Sequence, residues 1–385
     1  MQRTVFNEEH EDFRKVIRSF IEAEVVPNFS DWEREGMVPR DFYRQLGKLG
    51  VLGMTVPVQY GGAGETSFKF QAALTEETAR AAVSFGAFGV HTGLVLPYIL
   101  TYGTEGQKQR WLPDFISGDM MTAIAMTEPG TGSDLAGIKT TAKRSEDGTH
   151  YVLNGAKTFI TGGVQADRVL VICRTSPPTV ENRRAGLSIL AVDTSSEGYE
   201  VGRKLEKIGM RTSDTAELSF TDVRVPAEDL LGEEGAAFGY LANNLPQERL
   251  MIAVTQTAAA VGAIDFASAY VRDRKVFGQA VAEFQNTKFV IAECIAKVEA
   301  AQCMVDRALE LHETGDLSVA DAAKAKLFCT ETAAEVIDKC LQLHGGYGYM
   351  LEYPIARLYA DTRVSRIYGG TNEVMKTIIA KAAGF

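Results

Sequence analysis

Five short segments of this 385-residue chain combine residue types that do chemistry. Thr127-Glu128-Pro129-Gly130-Thr131-Gly132-Ser133 interleaves hydroxyls with glycines. Such a loop lets the backbone approach a ligand closely and turns N–H groups toward an anion. The same composition also makes a plain turn, and it matches neither the dinucleotide nor the Walker fingerprint. In Lys157-Thr158-Phe159-Ile160-Thr161-Gly162-Gly163, Phe159 and Thr161 stand two residues apart, on one face if the segment is a strand. They would stack on a planar ring and hydrogen-bond its edge, or form an ordinary half-buried strand. Arg272-Asp273-Arg274-Lys275-Val276-Phe277-Gly278-Gln279, with Gln285 beyond, reads as an anion site or as a solvated helix end. Leu343-His344-Gly345-Gly346-Tyr347-Gly348 is a glycine-rich helix end whose histidine reads as structural. Leu245-Pro246-Gln247-Glu248-Arg249-Leu250 offers a carboxylate that would serve as a general base. An acid just after a proline equally suits the first turn of a helix. Ala236–Asn244 already reads helical, so Pro246 either starts a helix or kinks one.

The bulk composition narrows the field. Forty basic against fifty acidic residues leave a net charge of −10, which argues against nucleic acid as the main partner. A small anion in a local basic pocket stays compatible with it. Five scattered cysteines without Cys-x-x-Cys spacing fit free thiols rather than a disulfide or zinc framework, and no metal site is expected. No apolar run approaches the ~20 residues of a membrane helix, so no membrane partner is expected. The N-terminus reads as neither a signal nor a transit peptide, which implies a cytoplasmic (bacterial) location. If the chain is a processed eukaryotic protein, the mitochondrial matrix is implied instead.

The elements that must position these segments follow an α, β, α order. Residues 1–122 read helical, with Phe13, Val16, Ile17, Phe20, Ile21 and Val25 on one stripe behind an Asn7 cap. Residues 123–235 hold short β-rich runs around Tyr151–Leu153, Arg168–Cys173, Leu187–Val192 and Glu217–Val225. Asp147-Gly148 and Asn154-Gly155 signal hairpin turns between strands. Residues 236–385 return to long helices, with Ile291, Ile295, Val298, Val305 and Leu309 on one stripe. The fold class predicted is α+β: an N-terminal helical domain, a middle antiparallel β domain and a C-terminal helical bundle.

Taken in order, Met126–Asp134, Phe159–Gly163, Arg274–Gly278, Gln342–Gly348 and Ile367-Tyr368-Gly369-Gly370-Thr371-Asn372-Glu373 resemble the acyl-CoA dehydrogenase family. Each piece is weak alone; the ordered set spans nearly the whole chain. The resemblance implies FAD as cofactor, an acyl-CoA substrate, a homotetramer built as a dimer of dimers, and electron-transfer flavoprotein as electron acceptor. It implies that Thr127 meets the flavin near its pyrimidine edge and Ser133 lies near the pyrophosphate and the substrate. Phe159 stands where a Trp is usual beside the flavin, and Thr161 should bond near N5. Arg274, Phe277, Gln285, Gln342, Gly345 and Gly346 should reach a neighbouring subunit's FAD. Thr371 and Glu373 should lie along the FAD. Arg249, Tyr368 and Gly370 should line the substrate.

Most of that family carries its base, a glutamate, at the position of Gly369. Glycine cannot accept a proton, yet its backbone N–H keeps the role of polarising the thioester carbonyl. The long-chain and isovaleryl types place the glutamate on a helix upstream of an Arg, as Glu248 stands before Arg249, and the long-chain type is the nearer match. Gly369 would also leave room beside the reacting carbons, favouring long or branched acyl groups. The rivals are a catalytically silent flavin-binding subunit of a mixed oligomer and an acyl-CoA oxidase.

Overall fold

The computed structural model describes residues 1–385. It opens with seven helices: α1 (Glu8–Phe20), α2 (Phe29–Glu35), α3 (Arg40–Lys48), α4 (Lys69–Arg80), α5 (Phe88–Val90), α6 (Leu96–Tyr102) and α7 (Glu105–Ser117). Asn7 caps α1: its side chain accepts the His10 N–H at 3.2 Å, and the His10 ring accepts its N–H in return. A π-helical turn, Ile21–Val25, carries α1 on toward Pro27. Ile17, Ile21 and Val25 are buried, but Val16 is 53 % exposed. One residue before Ile17 is a rotation of about 100° on a helix, enough to take Val16 off the stripe.

The sheet follows: β1 (Thr122–Ala125), β2 (Thr141–Arg144), β3 (His150–Thr161), β4 (Arg168–Arg174), β5 (Leu187–Asp193), β6 (Tyr199–Lys204), β7 (Thr215–Pro226) and β8 (Leu230–Leu231). Its order is β6-β7-β3-β2-β4-β5-β8, with β1 also on β4. Most pairs are antiparallel, but β1 and β2 both run parallel to β4, so the sheet is mixed. Asp147-Gly148 does lie in the turn from β2 to β3. Asn154-Gly155 does not turn the chain; it lies inside β3, where the pairing with β7 slips between Leu153 and Gly155. A turn dipeptide and a bulge share the same need for unusual backbone, which is why the two readings are confused. A second slip, between Lys157 and Ile160, brackets Phe159.

The last part holds α8 (Ala237–Asp273), a small ribbon of β9 (Lys275–Val276) and β10 (Gln279–Ala280), then α9 (Gln285–Glu313), α10 (Val319–Leu343), α11 (Pro354–Thr362) and α12 (Asn372–Ala382). Pro246 starts nothing; it lies inside α8. Ala-rich α8 is central and packs on α4, α9 and α10. At Gly262 a Cβ would come 2.3 Å from Arg80 O, so only glycine permits that approach of α8 to α4. By length and composition α8 would cross a membrane, yet 72 % of its most apolar stretch is buried inside the protein. On α9, Val298, Val305 and Leu309 are buried but Ile295 is 44 % exposed; Cys294 and Ala301 complete the inward stripe instead. The sheet is tied to the C-terminal helices where Asp361 of α11 accepts the Met210 N–H.

Candidate active site

Glu248 and Ile252 are one turn apart on α8, so both face the same neighbour, the loop before α12. A Cβ built on Gly369 would lie 3.5 Å from Glu248 Oε1 and 2.4 Å from Ile252 Cδ1. The carboxylate therefore stands beside the turn where a side chain at 369 would begin. The room expected there is filled by the tip of Ile252. Burial pushes the Glu248 carboxyl up to about 7, against the pull of the Arg249 and Lys326 charges, and no hydrogen bond helps its ionised form. Tyr98 of α6 and Tyr368 lie close enough to feel that charge; burial first, then Glu248, raises both phenols.

The loop itself is held by two cations. Gly369 and Gly370 adopt φ of +64° and +87°. Arg249 Nε donates to Gly369 O at 3.3 Å, and Lys326 Nζ donates to Gly370 O at 2.9 Å. Thr371 caps α12 by accepting the Val374 N–H at 3.3 Å, with Glu373 exposed in its first turn. Asn372 is buried and tied to Thr330 and Glu331 of α10. With both carbonyls engaged, the Gly369 N–H has no backbone partner and remains a free donor.

On the sheet, Thr127 O accepts the Thr158 N–H at 2.9 Å, joining the Thr127–Ser133 loop to β3. Beneath it, fully buried Lys157 donates to Met126 O and to Glu128 Oε1, both at 3.0 Å. Glu128 also accepts the Lys139 and Thr140 N–H groups at 2.7 and 2.8 Å. Ile160 points into the sheet core while Phe159 is 67 % exposed at φ +61°. Thr161 is half-buried, 3.5 Å from the Thr215 hydroxyl, and Ser133 is exposed. A bulky residue in left-handed conformation is uncommon and costs of order 1–3 kcal/mol. Phe277 repeats the combination, 97 % exposed at φ +50°, beside Phe284 and Gln285. Arg274, Gln342, Gly345 and Gly346 line one cleft of about 610 Å³ with Tyr270 and Tyr347. No group of three metal-ligating side chains exists.

Family models for the acyl-CoA dehydrogenase N-terminal, middle and C-terminal domains match residues 7–119, 123–223 and 235–384. The long-chain specific acyl-CoA dehydrogenase of Sus scrofa mitochondria is 44 % identical over 384 residues, 98 % of this chain and 87 % of that protein. The chain belongs to the acyl-CoA dehydrogenase family. An acyl-CoA dehydrogenase structure from Geobacillus kaustophilus superposes with a TM-score of 0.96 at 45 % identity, covering all of both chains. The acryloyl-CoA reductase (NADH) of Anaerotignum propionicum is 35 % identical, over 97 % of this chain and 94 % of that one.

In this acyl-CoA dehydrogenase fold the residues named from sequence fall into three places. Glu248, Arg249, Tyr368, Gly369 and Gly370 form one cluster. Thr127, Ser133, Phe159 and Thr161 lie along the open side of the loop and β3. Arg274, Gln342, Gly345 and Gly346 share the cleft, with Phe277 and Gln285 on the adjoining exposed ribbon and helix start. Arg249 gives one donor, Nε, to a loop carbonyl. Sequence reasoning missed Lys157, Lys326, Asn372, Ile252 and Tyr98. The two lysines carried no signal, because a lysine in a strand or an Ala-rich helix reads as solvated surface.

Proposed function

We propose that this chain dehydrogenates acyl-CoA thioesters to trans-2-enoyl-CoA, with Glu248 taking the α-proton. The observation that carries the reading is the Glu248 carboxylate 3.5 Å from where a Gly369 side chain would start, with its pKa raised to about 7. A base works best when its pKa lies near the working pH. The free Gly369 N–H donates to the thioester carbonyl, which acidifies the α-carbon. Arg249 and Lys326 hold that N–H in place through the two loop carbonyls.

FAD, when bound, supplies the acceptor for the β-hydride. The residues fit it: Phe159 offers an exposed ring beside the hydroxyl of Thr161, and Thr127 borders it. The Arg274–Gly346 cleft offers a cation and glycines to an anionic group. Thr371 and Glu373 flank the same loop as Gly369. Structures of relatives in complex with FAD and with FADH2 support the same cofactor. Long or branched acyl groups are the substrates, supported by the long-chain specific relatives and by the base on α8. The assembly is a homotetramer, electrons pass to electron-transfer flavoprotein, and the location is the bacterial cytoplasm or the mitochondrial matrix.

A panel of acyl-CoAs from butyryl to palmitoyl, with branched members, tests the reading. The yellow protein bleaches with long or branched substrates and reduces an artificial dye. Absence of flavin after incubation of apo-protein with FAD overturns it, and a preference for butyryl-CoA over every other member overturns the substrate assignment.

A further inference from the structure

Lys326 sits in the middle of α10 and is 0 % exposed. A buried ammonium is costly unless its protons are bonded and its charge is matched. Two of its three protons are bonded: Nζ donates at 2.9 Å to Gly370 O and at 2.9 Å to Asn372 Oδ1. Both acceptors are neutral. Burial, then the Arg249 charge, pull the ammonium down to about 8. The charged groups that face it are Arg249 and Glu248 from α8, Glu331 on its own helix and Glu373 from α12. A neutral donor would hold a carbonyl as well, so the buried charge needs another reason. Of the three carboxylates whose charge reaches it, Glu248 acts most strongly. Both groups border the same glycine turn, Lys326 through Gly370 O and Glu248 beside Gly369. Glu248 also interacts electrostatically with Arg249, Tyr98 and Tyr368.

We infer that Lys326 is a positioning residue for proton abstraction. It fixes the Gly369–Gly370 turn from behind, and its positive charge keeps Glu248 in the ionised form that accepts the proton. This rests on Glu248 being the base. An opposite charge nearby favours the ionised carboxylate, so removing it lets burial raise the Glu248 titration further.

The test uses the holoenzyme with Lys326→Gln, which keeps a donor and removes the charge, Lys326→Arg, which keeps the charge, and Asn372→Asp, which sets a carboxylate on the ammonium. Two readouts are taken: the pH dependence of single-turnover flavin reduction by saturating acyl-CoA, and the infrared titration of the Glu248 carboxyl without substrate. The carboxyl band is identified by its loss in Glu248→Gln. Lys326→Gln moves the acid limb and the infrared titration up by about one pH unit. Its rate at pH 7 falls about fivefold. It converges on the wild type above pH 8, where Lys326 sheds its own proton. Asn372→Asp moves the limb the same way, and Lys326→Arg leaves it in place. A limb unmoved in Lys326→Gln and Asn372→Asp, or a loss of rate equal at every pH, makes Lys326 a packing residue and overturns the inference. If Lys326→Gln does not fold, Lys326→Met, which also removes the charge, decides on the same two readouts. Failure of the underlying reading looks different: Glu248→Gln itself reduces its flavin normally.

Discussion

A carboxylate kept near neutrality by burial lowers the stability of the fold that holds it. Glu248 titrates near 7 in the folded chain against an ordinary 4.5. Between those values the native state binds more protons than the unfolded one, so stability falls as pH rises. Above about 7 the full penalty of the buried charge is present. Glu248→Gln removes the group that titrates. Its melting temperature therefore exceeds the wild type's at pH 8, and the difference shrinks to the residual effect of the amide below about pH 4.5. Calorimetry across that range checks it; a difference independent of pH contradicts the raised titration. The strain at Phe159 and Phe277 belongs to the same scale. Two largely exposed rings at positive φ gain little from packing, and both lie where the family sequence pattern expects cofactor.

Among the elements, β3 and α10 carry buried lysines that brace the site from below. Lys157 under the Thr127–Ser133 loop and Glu128 form a pair at 3.0 Å with side-chain exposures of 0 % and 6 %. Breaking a buried pair by removing one partner costs ~3–5 kcal/mol. Lys157→Met is expected to lose stability of that order and to release flavin more readily, measured by denaturant titration and by flavin-to-protein ratio; full retention of both would contradict the bracing role. Much of this level was legible in the sequence. The Asn7 cap, the four β runs and the helical return at 236 all appear, because capping and periodicity are local. Most of the failures are non-local; Val16, one residue off its stripe, is a local one. Asn154-Gly155 has turn chemistry, but pairing with β7 makes it a bulge. Val16 and Ile295 are apolar yet off the buried stripe. Lys326 looks like surface until α8 and α12 close over it. The Glu248–Gly369 pairing, 121 positions apart by subtraction of their numbers, was legible only through the family resemblance.

At the scale of the whole molecule, the residues proposed for FAD do not form one pocket within the chain. Thr127, Phe159 and Thr161 lie on the sheet, whereas Arg274, Gln342, Gly345 and Gly346 line their own cleft at the end of α8 and α10. The proposed homotetramer would bring the two surfaces onto one cofactor from two copies. A forced monomer is expected to lose FAD, which sedimentation combined with the flavin-to-protein ratio measures; a monomer with full flavin content would contradict the shared site. The central claim is the base. Its most direct measurement is the rate of flavin bleaching when Glu248→Gln, shown to retain FAD and acyl-CoA binding, is mixed with the best substrate of the wild type. The amide keeps the shape and cannot take the α-proton, so the rate falls by about 10²–10⁴-fold or more. Bleaching at close to the wild-type rate would mean that another group removes the proton.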